Sequence, residues 1–187
     1  MLLKIAQANS SILADFQGLD DTKRDVLRYG MEVFLSLACF VVGALIIGGY
    51  NGRMGCVLLF FVGFMPLRCA VGGYHASSSE TCLCLSLGMF AAALTTYPHF
   101  TVASLTVVTA ISTLLVFVLT PICLQRSTRP SKQVHRLQKR SMWITAVHVF
   151  AVAALAFYSF SSASMVATSY AFAAFSLLVS AIQSDIA

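Results

Sequence analysis

Long apolar runs separated by short polar stretches dominate the chain, and this pattern predicts a bundle of membrane-spanning helices. One crossing needs about 20 residues, and four runs reach that length. These four are residues 29–50, 101–120, 142–160 and 163–182. Two shorter runs, 54–67 and 83–97, predict either two brief crossings extended by polar ends or a re-entrant pair. The expected fold is an all-α polytopic membrane protein with about six transmembrane helices.

Prolines and turn residues set the expected ends of these runs. Pro66 should close the second run and Pro121 the fourth, because proline lacks the N–H that a continuing helix needs. The turn 50–53, which contains Asn-Gly, should join the first two runs, and Pro98 should begin a tight turn before the fourth.

The N-terminal segment, residues 1–28, predicts an amphipathic helix followed by the polar start of the first span. Over residues 1–19 the apolar side chains fall near helical spacing and polar ones line another face. This is typical of a helix that lies along the membrane surface, and packing against the protein itself is the alternative. Asp20 or Asp21 can cap the next helix, whose first turns we expect in water or among headgroups.

The composition leaves little material for a soluble domain. Of the 187 residues, 58% are hydrophobic and only 10% are charged, as in polytopic membrane proteins. We therefore expect one membrane-embedded domain over residues 1–187. Two of the 6 cysteines, Cys39 and Cys56, lie inside apolar runs, where cysteine usually packs as a small hydrophobe. A disulfide framework is therefore not expected.

Positive charge is concentrated on one side of the predicted bundle. Six crossings divide the termini and loops into two sets, one on each side of the membrane. Of the 12 lysines and arginines, only Arg53 falls in one set, and all the others fall in the other set. Such residues collect on the cytoplasmic side, so both termini, the polar stretch before the third span and the basic loop 121–141 should be cytoplasmic. The basic loop contains no acidic residue, and its cations are Arg126, Arg129, Lys132, Arg136, Lys139 and Arg140.

A polar cluster, residues 68–82, separates the two short apolar runs. It contains Arg68, the potential base His75 and the potential nucleophile Cys82, together with a glycine pair at 72–73. Such a cluster at a membrane edge is costly, which favours a functional reading. A straight helix would hold His75 about 10 Å from Cys82, but the glycines allow the loop to fold His75 back toward the thiol.

Residues 77–80, Ser-Ser-Ser-Glu, fit a capping box. Ser77 would then cap the third span and place Cys82 in its second turn. The positive end of the helix favours the thiolate that a nucleophile needs. Cys84 lies about 200° around the same helix, so only one of the two thiols can face His75.

The cluster also admits two other interpretations. In the first, zinc is held by Cys69, His75, Cys82 and Cys84, although their spacing matches no common finger or ribbon. In the second, His75 is a loop or capping residue and Cys82 is a packed small side chain.

Two isolated polar residues lie within the predicted spans. Glu32 should either sit at the membrane interface beside Arg28 or face inward toward the polar cluster. His148 lies on an apolar helix, where a hydrogen-bonded core histidine is expected.

The segment from Arg68 to Ala76, Arg-Cys-Ala-Val-Gly-Gly-Tyr-His-Ala, followed by Cys82 seven residues after His75, resembles the signature of a known family. It is similar to the accessory gene regulator B (AgrB) family of membrane-embedded cysteine endopeptidases, bacterial proteins that process the precursors of cyclic autoinducing peptides. Chain length, the N-terminal amphipathic segment, the hydrophobic layout and the basic loop agree with it.

This resemblance implies roles for individual residues. His75 would be the general base and Cys82 the nucleophile that holds the N-terminal part of a short precursor as a thioester. An internal cysteine or serine would then close a thiolactone or lactone ring. Arg68 would stabilise an oxyanion or hold a substrate carboxylate, Gly73 would let the loop bend, and Glu32 would orient His75 or pair with Arg68. No metal or other cofactor is implied.

The resemblance also implies partners and a location. The substrate would be a propeptide with an amphipathic leader and an acidic C-terminal tail, which the basic loop would attract. Anionic lipid headgroups are the other expected partner of that loop. The protein would be a multi-pass homodimer in the bacterial cell membrane. A small peptide transporter or membrane scaffold, in which the cluster only lines a substrate path, is the alternative from another functional class.

Overall fold

The structure, a computed structural model, describes residues 20–71, 79–125 and 131–186, and every regular element in these ranges is helical. The six long helices are α1 Asp21–Tyr50, α2 Met54–Val71, α3 Ser79–Thr96, α4 Val102–Gln125, α5 Ser131–Tyr158 and α6 Phe160–Ile186. All six are long and apolar enough to cross a membrane, which confirms the predicted fold class. The predicted amphipathic helix over residues 1–19 lies outside the described residues.

The two short apolar runs form a pair of helices that each have the length of a crossing. α2 and α3 have 18 residues each, or about 27 Å at 1.5 Å per residue, close to the hydrocarbon thickness of about 30 Å. Arg53, at the start of α2, donates to the carbonyl of Leu94 near the end of α3. The far end of α2 meets the start of α3 through Arg68 and Cys82. The pair is therefore an antiparallel hairpin of two brief crossings.

The expectation that Pro66 and Pro121 end their helices is wrong. α2 continues through Pro66 to Val71, and α4 continues through Pro121 to Gln125. A proline removes one N–H donor from the helix ladder, and a polar side chain from a neighbouring helix can satisfy the carbonyl left behind. His148 of α5 provides such a contact for α2, since its Nε2 lies 2.9 Å from the carbonyl oxygen of Val62.

The predicted cap of α1 and the turns at residues 50–53 and Pro98 agree with the structure. The carboxylate of Asp20 accepts a hydrogen bond from the main-chain N–H of Lys23 and caps α1. Gly52 adopts a φ of 63°, which glycine tolerates better than other residues, in the turn between α1 and α2. A short 3₁₀ helix, Tyr97–His99, contains Pro98 and leads toward α4.

Helix α6 forms the centre of the bundle and packs against α2, α4 and α5. Small side chains let α2 approach it closely. A Cβ added to Gly63 of α2 would lie 2.8 Å from the carbonyl oxygen of Val166 and would clash with the hydroxyl of Ser169. The other buried residues of α6 include Ala163, Met165, Ala167, Tyr170, Ala173, Ala174 and Leu177.

The basic segment 121–141 is more helical than the sequence predicted. Residues 121–125 belong to α4, and α5 already begins at Ser131. Lysine, arginine and glutamine are good helix formers, and Val134 and Leu137 pack against the core. α5 has 28 residues, or about 42 Å, so its polar first turns extend beyond the length that a bilayer core would cover.

Candidate active site

Cys82 is the fourth described residue of α3 and lies near the N-terminal end of that helix. Its side chain is half-buried. The hydroxyl of Ser86 donates to the Cys82 carbonyl at 2.9 Å. The N-terminal end of a helix carries partial positive charge, so the thiol lies near a place where a negative charge would be stabilised.

Arg68, in the last turn of α2, makes direct contact with this thiol. Its Nη2 lies 3.3 Å from the Sγ of Cys82. The carbon at the centre of the guanidinium lies 5.5 Å from the ring centroid of Phe64, which is almost fully buried. One face of the guanidinium thus lies near an aromatic ring while an N–H donor points at the sulfur.

The hairpin brings these two residues together although they are fourteen positions apart. Arg68 lies at the C-terminal end of α2 and Cys82 at the N-terminal end of α3. A cation at a helix C-terminus and an electron-rich sulfur at a helix N-terminus both agree with the helix dipoles. The local electrostatics of the two helix ends therefore favour the same contact.

The neighbouring thiols have different surroundings. Cys84 and Cys69 are both exposed, whereas Cys82 is half-buried. Cys84 lies about 200° around α3 from Cys82. The contact with Arg68 therefore distinguishes the two thiols of α3, which the sequence pattern alone did not.

His75, Gly73 and Ser77 lie outside the described residues. The predicted pairing of His75 with Cys82 and the cap by Ser77 therefore remain predictions. Within the described ranges, no three His, Cys, Asp or Glu side chains are grouped so that they could hold a metal ion.

Glu32 is half-buried on α1, and the packing of α1 on α3 gives its position along the bundle axis relative to Cys82. Gly43 of α1 packs on Leu87 of α3, and the two helices run in the same direction. Glu32 lies eleven residues before Gly43, and Cys82 lies five before Leu87. Glu32 is therefore about 9 Å further along the bundle axis, toward the end where residues 72–78 connect α2 to α3.

The basic residues of α5 form one exposed face. Arg126 and Arg129 lie outside the described residues, and the other four predicted cations lie on the first three turns of α5. These four fall within about 100° of the helix circumference, opposite the packed residues Val134 and Leu137. We call them the basic face of α5: Lys132, Arg136, Lys139 and Arg140, all exposed.

Two features of the site were not predicted from the sequence. One is the direct contact between Arg68 and the sulfur of Cys82, which depends on how α2 and α3 pair. The other is the partner of His148. Its prediction as a hydrogen-bonded core residue is confirmed, but the carbonyl of Val62 on another helix was not foreseen. The sequence did contain one indication of this contact: residue 66, four positions after Val62, is a proline and has no N–H to donate to the Val62 carbonyl.

Comparison with known proteins adds one match. The family model described as accessory gene regulator B matches residues 6–183, nearly the whole chain. No curated protein and no solved structure gives a significant match.

Proposed function

Because this chain belongs to the accessory gene regulator B family, we propose that it is a membrane-embedded cysteine endopeptidase that processes a quorum-sensing propeptide. Family membership itself indicates a role in processing the peptide of an accessory gene regulator system. The proposal that the protein is a cysteine endopeptidase with Cys82 as its nucleophile rests on the 3.3 Å contact between the guanidinium of Arg68 and the sulfur of Cys82.

In the proposed first step, His75 takes the proton of the Cys82 thiol, and the sulfur attacks the carbonyl carbon of the scissile peptide bond. The C–N bond then breaks, and the leaving amine receives the proton from His75. The C-terminal tail departs, and the N-terminal part of the propeptide remains on Cys82 as a thioester.

In the proposed second step, an internal cysteine or serine of the bound peptide attacks the thioester carbonyl. His75 accepts the proton of that nucleophile and returns it to the Cys82 sulfur as the sulfur leaves. The product is a thiolactone or lactone ring. An apolar surrounding that limits water favours this ring closure over hydrolysis.

Arg68 supports both steps in this proposal. As a cation in contact with the sulfur, it stabilises negative charge there before attack. Once the substrate is bound, the same guanidinium is close enough to the reacting carbon to stabilise the oxyanion or to hold a substrate carboxylate. Gly73 would let the loop bend, and Glu32 would orient His75 or pair with Arg68. Glu32 lies about 9 Å further along the bundle axis than Cys82, toward the end where residues 72–78 connect α2 to α3, and this position supports the proposed role.

The basic face of α5, together with Arg126 and Arg129, would bind the acidic tail of the propeptide. Its four cations are exposed at the N-terminal end of a helix, where the helix dipole adds positive potential. The first turn of α5 contains no acidic residue that would neutralise them. An anionic partner is therefore stabilised at this surface, and lipid headgroups compete with the tail for it.

We further propose that both termini, the basic face of α5 and Cys82 lie on the cytoplasmic side of a bacterial cell membrane, and that the protein acts as a homodimer. The distribution of charge supports this orientation. Arg53 lies at the opposite end of the α2–α3 hairpin from Cys82, with its guanidinium bonded to the carbonyl of Leu94 and placed over the Tyr97 ring.

A processing assay tests the proposal. Proteoliposomes with wild-type protein, Cys82→Ser or Cys84→Ser are incubated with a candidate propeptide, and tail release is followed by mass spectrometry. We expect Cys82→Ser to release no tail and Cys84→Ser to retain most of the wild-type rate, with both variants extracted and assembled like the wild type. Release by folded Cys82→Ser would reject the peptidase and favour a transporter or scaffold acting beside another enzyme.

A further inference from the structure

The turn of α2 that precedes Arg68 lacks one main-chain hydrogen bond. In a continuous helix the carbonyl of Val62 would accept from the N–H of residue 66, but that residue is proline and has no N–H. A carbonyl without a donor is costly in apolar surroundings. The helix nevertheless continues to Val71, so this carbonyl needs a donor from elsewhere.

His148 of α5 lies where it can supply that donor. Its Nε2 lies 2.9 Å from the Val62 oxygen, and its Nδ1 lies 2.7 Å from the oxygen of Ile144 in its own helix. Both neighbouring atoms are carbonyl oxygens, which only accept, and a neutral imidazole carries a single N–H. In the tautomer that has its hydrogen on Nε2, His148 donates to Val62 and replaces the N–H that Pro66 removes, while Nδ1 is then not a donor to Ile144.

The ring of His148 is held firmly in this position. It is only 5% exposed, and it stacks on Tyr170 of α6 with a centroid distance of 5.0 Å and an interplanar angle of 20°. The Tyr170 hydroxyl donates in turn to Thr145 at 3.4 Å. Next to Val62, Gly63 lies directly against Val166 and Ser169 of α6. The broken turn is therefore fixed from α5 and α6 together.

We propose that His148 is a positioning residue for Arg68. The bond to Val62 fixes the turn of α2 in which Pro66 leaves one main-chain hydrogen bond missing. Arg68 lies only two residues after Pro66. Its guanidinium reaches both the Phe64 ring and the Cys82 sulfur, so the direction of this last turn of α2 decides whether it contacts the thiol. This role deepens the proposed function and rests on it only for the statement that Cys82 is the nucleophile.

The reactivity of Cys82 toward iodoacetamide tests this proposal without any peptide substrate. Alkylation of the full-length protein in proteoliposomes is followed by mass spectrometry in a Cys84→Ser background, which leaves Cys82 as the one thiol of α3, and the modified residue is located by fragmentation. We expect His148→Leu, which removes the donor, to slow alkylation of Cys82 by about 2- to 30-fold. His148→Gln, which keeps an N–H donor, should recover part of the rate.

Two combined variants separate positioning from a purely structural role. Pro66→Ala restores the main-chain N–H to Val62, so His148→Leu should cost much less in that background. In an Arg68→Gln background, His148→Leu should cause no further loss, because its effect passes through Arg68. If His148→Leu alone does not assemble, His148→Gln and the Pro66→Ala double variant provide the same comparison.

An unchanged alkylation rate, or an equal loss with and without Arg68, would overturn the positioning role. That result is independent of the processing assay, which is the separate test of the peptidase. A protein that fails to process a propeptide but shows the expected alkylation pattern would retain this inference and lose the proposed function.

Discussion

The guanidinium of Arg68 gives the two neighbouring thiols of α3 different chemical surroundings. Cys82 is half-buried, lies near the described start of α3 and has a cationic donor 3.3 Å from its sulfur. Cys84 is exposed on another side of the same helix. A charged donor forms a stronger hydrogen bond with a thiolate than with a neutral thiol. The two residues have the same side chain, so a difference in reactivity would report their surroundings directly.

Removing this donor should slow the reaction of Cys82 with an alkylating reagent. A hydrogen bond to a charged group contributes about 1.5–3 kcal/mol, so we expect Arg68→Gln to lower the alkylation rate at neutral pH by roughly 10-fold or more. Arg136→Gln is the matched control, because it removes one exposed cation from the basic face of α5. Equal rates for Arg68→Gln and the control would mean that the contact does not activate the thiol.

At the scale of the helices, the sequence was sufficient where one segment determines its own structure. Length and hydropathy predicted all six spanning helices, and Asp20 and Asn51-Gly52 marked their local cap and turn. It was insufficient where a distant element contributes. Pro66 was expected to end α2 because the donor that replaces its N–H belongs to His148, 86 positions away from Val62. The contact between Arg68 and Cys82 likewise requires the antiparallel pairing of α2 and α3.

The close approach of α2 and α6 depends on the missing side chain of Gly63. Gly63→Ala places a methyl group against the carbonyl of Val166 and the side chain of Ser169, and overpacking of this kind typically costs about 1–3 kcal/mol. We expect a lower thermal midpoint in detergent, measured by the loss of monodisperse protein on heating. Gly88→Ala is the control, because a Cβ there meets nothing within 4 Å. Equal midpoints for the two variants would contradict the close packing.

At the scale of the whole molecule, charge is divided between the two ends of the bundle. The basic face of α5 lies at the start of a helix that continues through Ser141, whose hydroxyl lies 3.2 Å from that of Thr120 in the last turns of α4. Arg68 lies at the same end of the helix bundle, because α2 and α4 both finish at that end and α3 and α5 both begin there. Arg53 lies at the other end. The candidate nucleophile and the surface proposed to bind the tail therefore share one side.

Substituting the basic face of α5 tests whether it recruits the propeptide. With Lys132, Arg136, Lys139 and Arg140 all changed to glutamine, we expect the KM for a propeptide with an acidic tail to rise at least about fourfold, since each exposed ion pair contributes about 0.2–1 kcal/mol. The kcat should change little. Lys23→Gln with Arg28→Gln, which removes two exposed cations from α1, is the matched control.

The lipid alternative has a different signature. If the basic face binds headgroups, the effect of the four substitutions should disappear in vesicles without anionic lipid and should not depend on the charge of the tail. A KM that rises equally for acidic and neutralised tails would therefore contradict tail recognition.

The most direct test of the central claim is to look for the acyl-enzyme itself. The protein in lipid is incubated briefly with propeptide, quenched in acid and measured by intact-mass spectrometry, with the modified residue located by fragmentation. We predict an adduct with the mass of the N-terminal part of the propeptide on Cys82, released by hydroxylamine as a thioester should be, in the wild type and Cys84→Ala but not in Cys82→Ala. An adduct on Cys84, or tail release by the assembled Cys82→Ala variant, would contradict the assignment of Cys82 as the nucleophile.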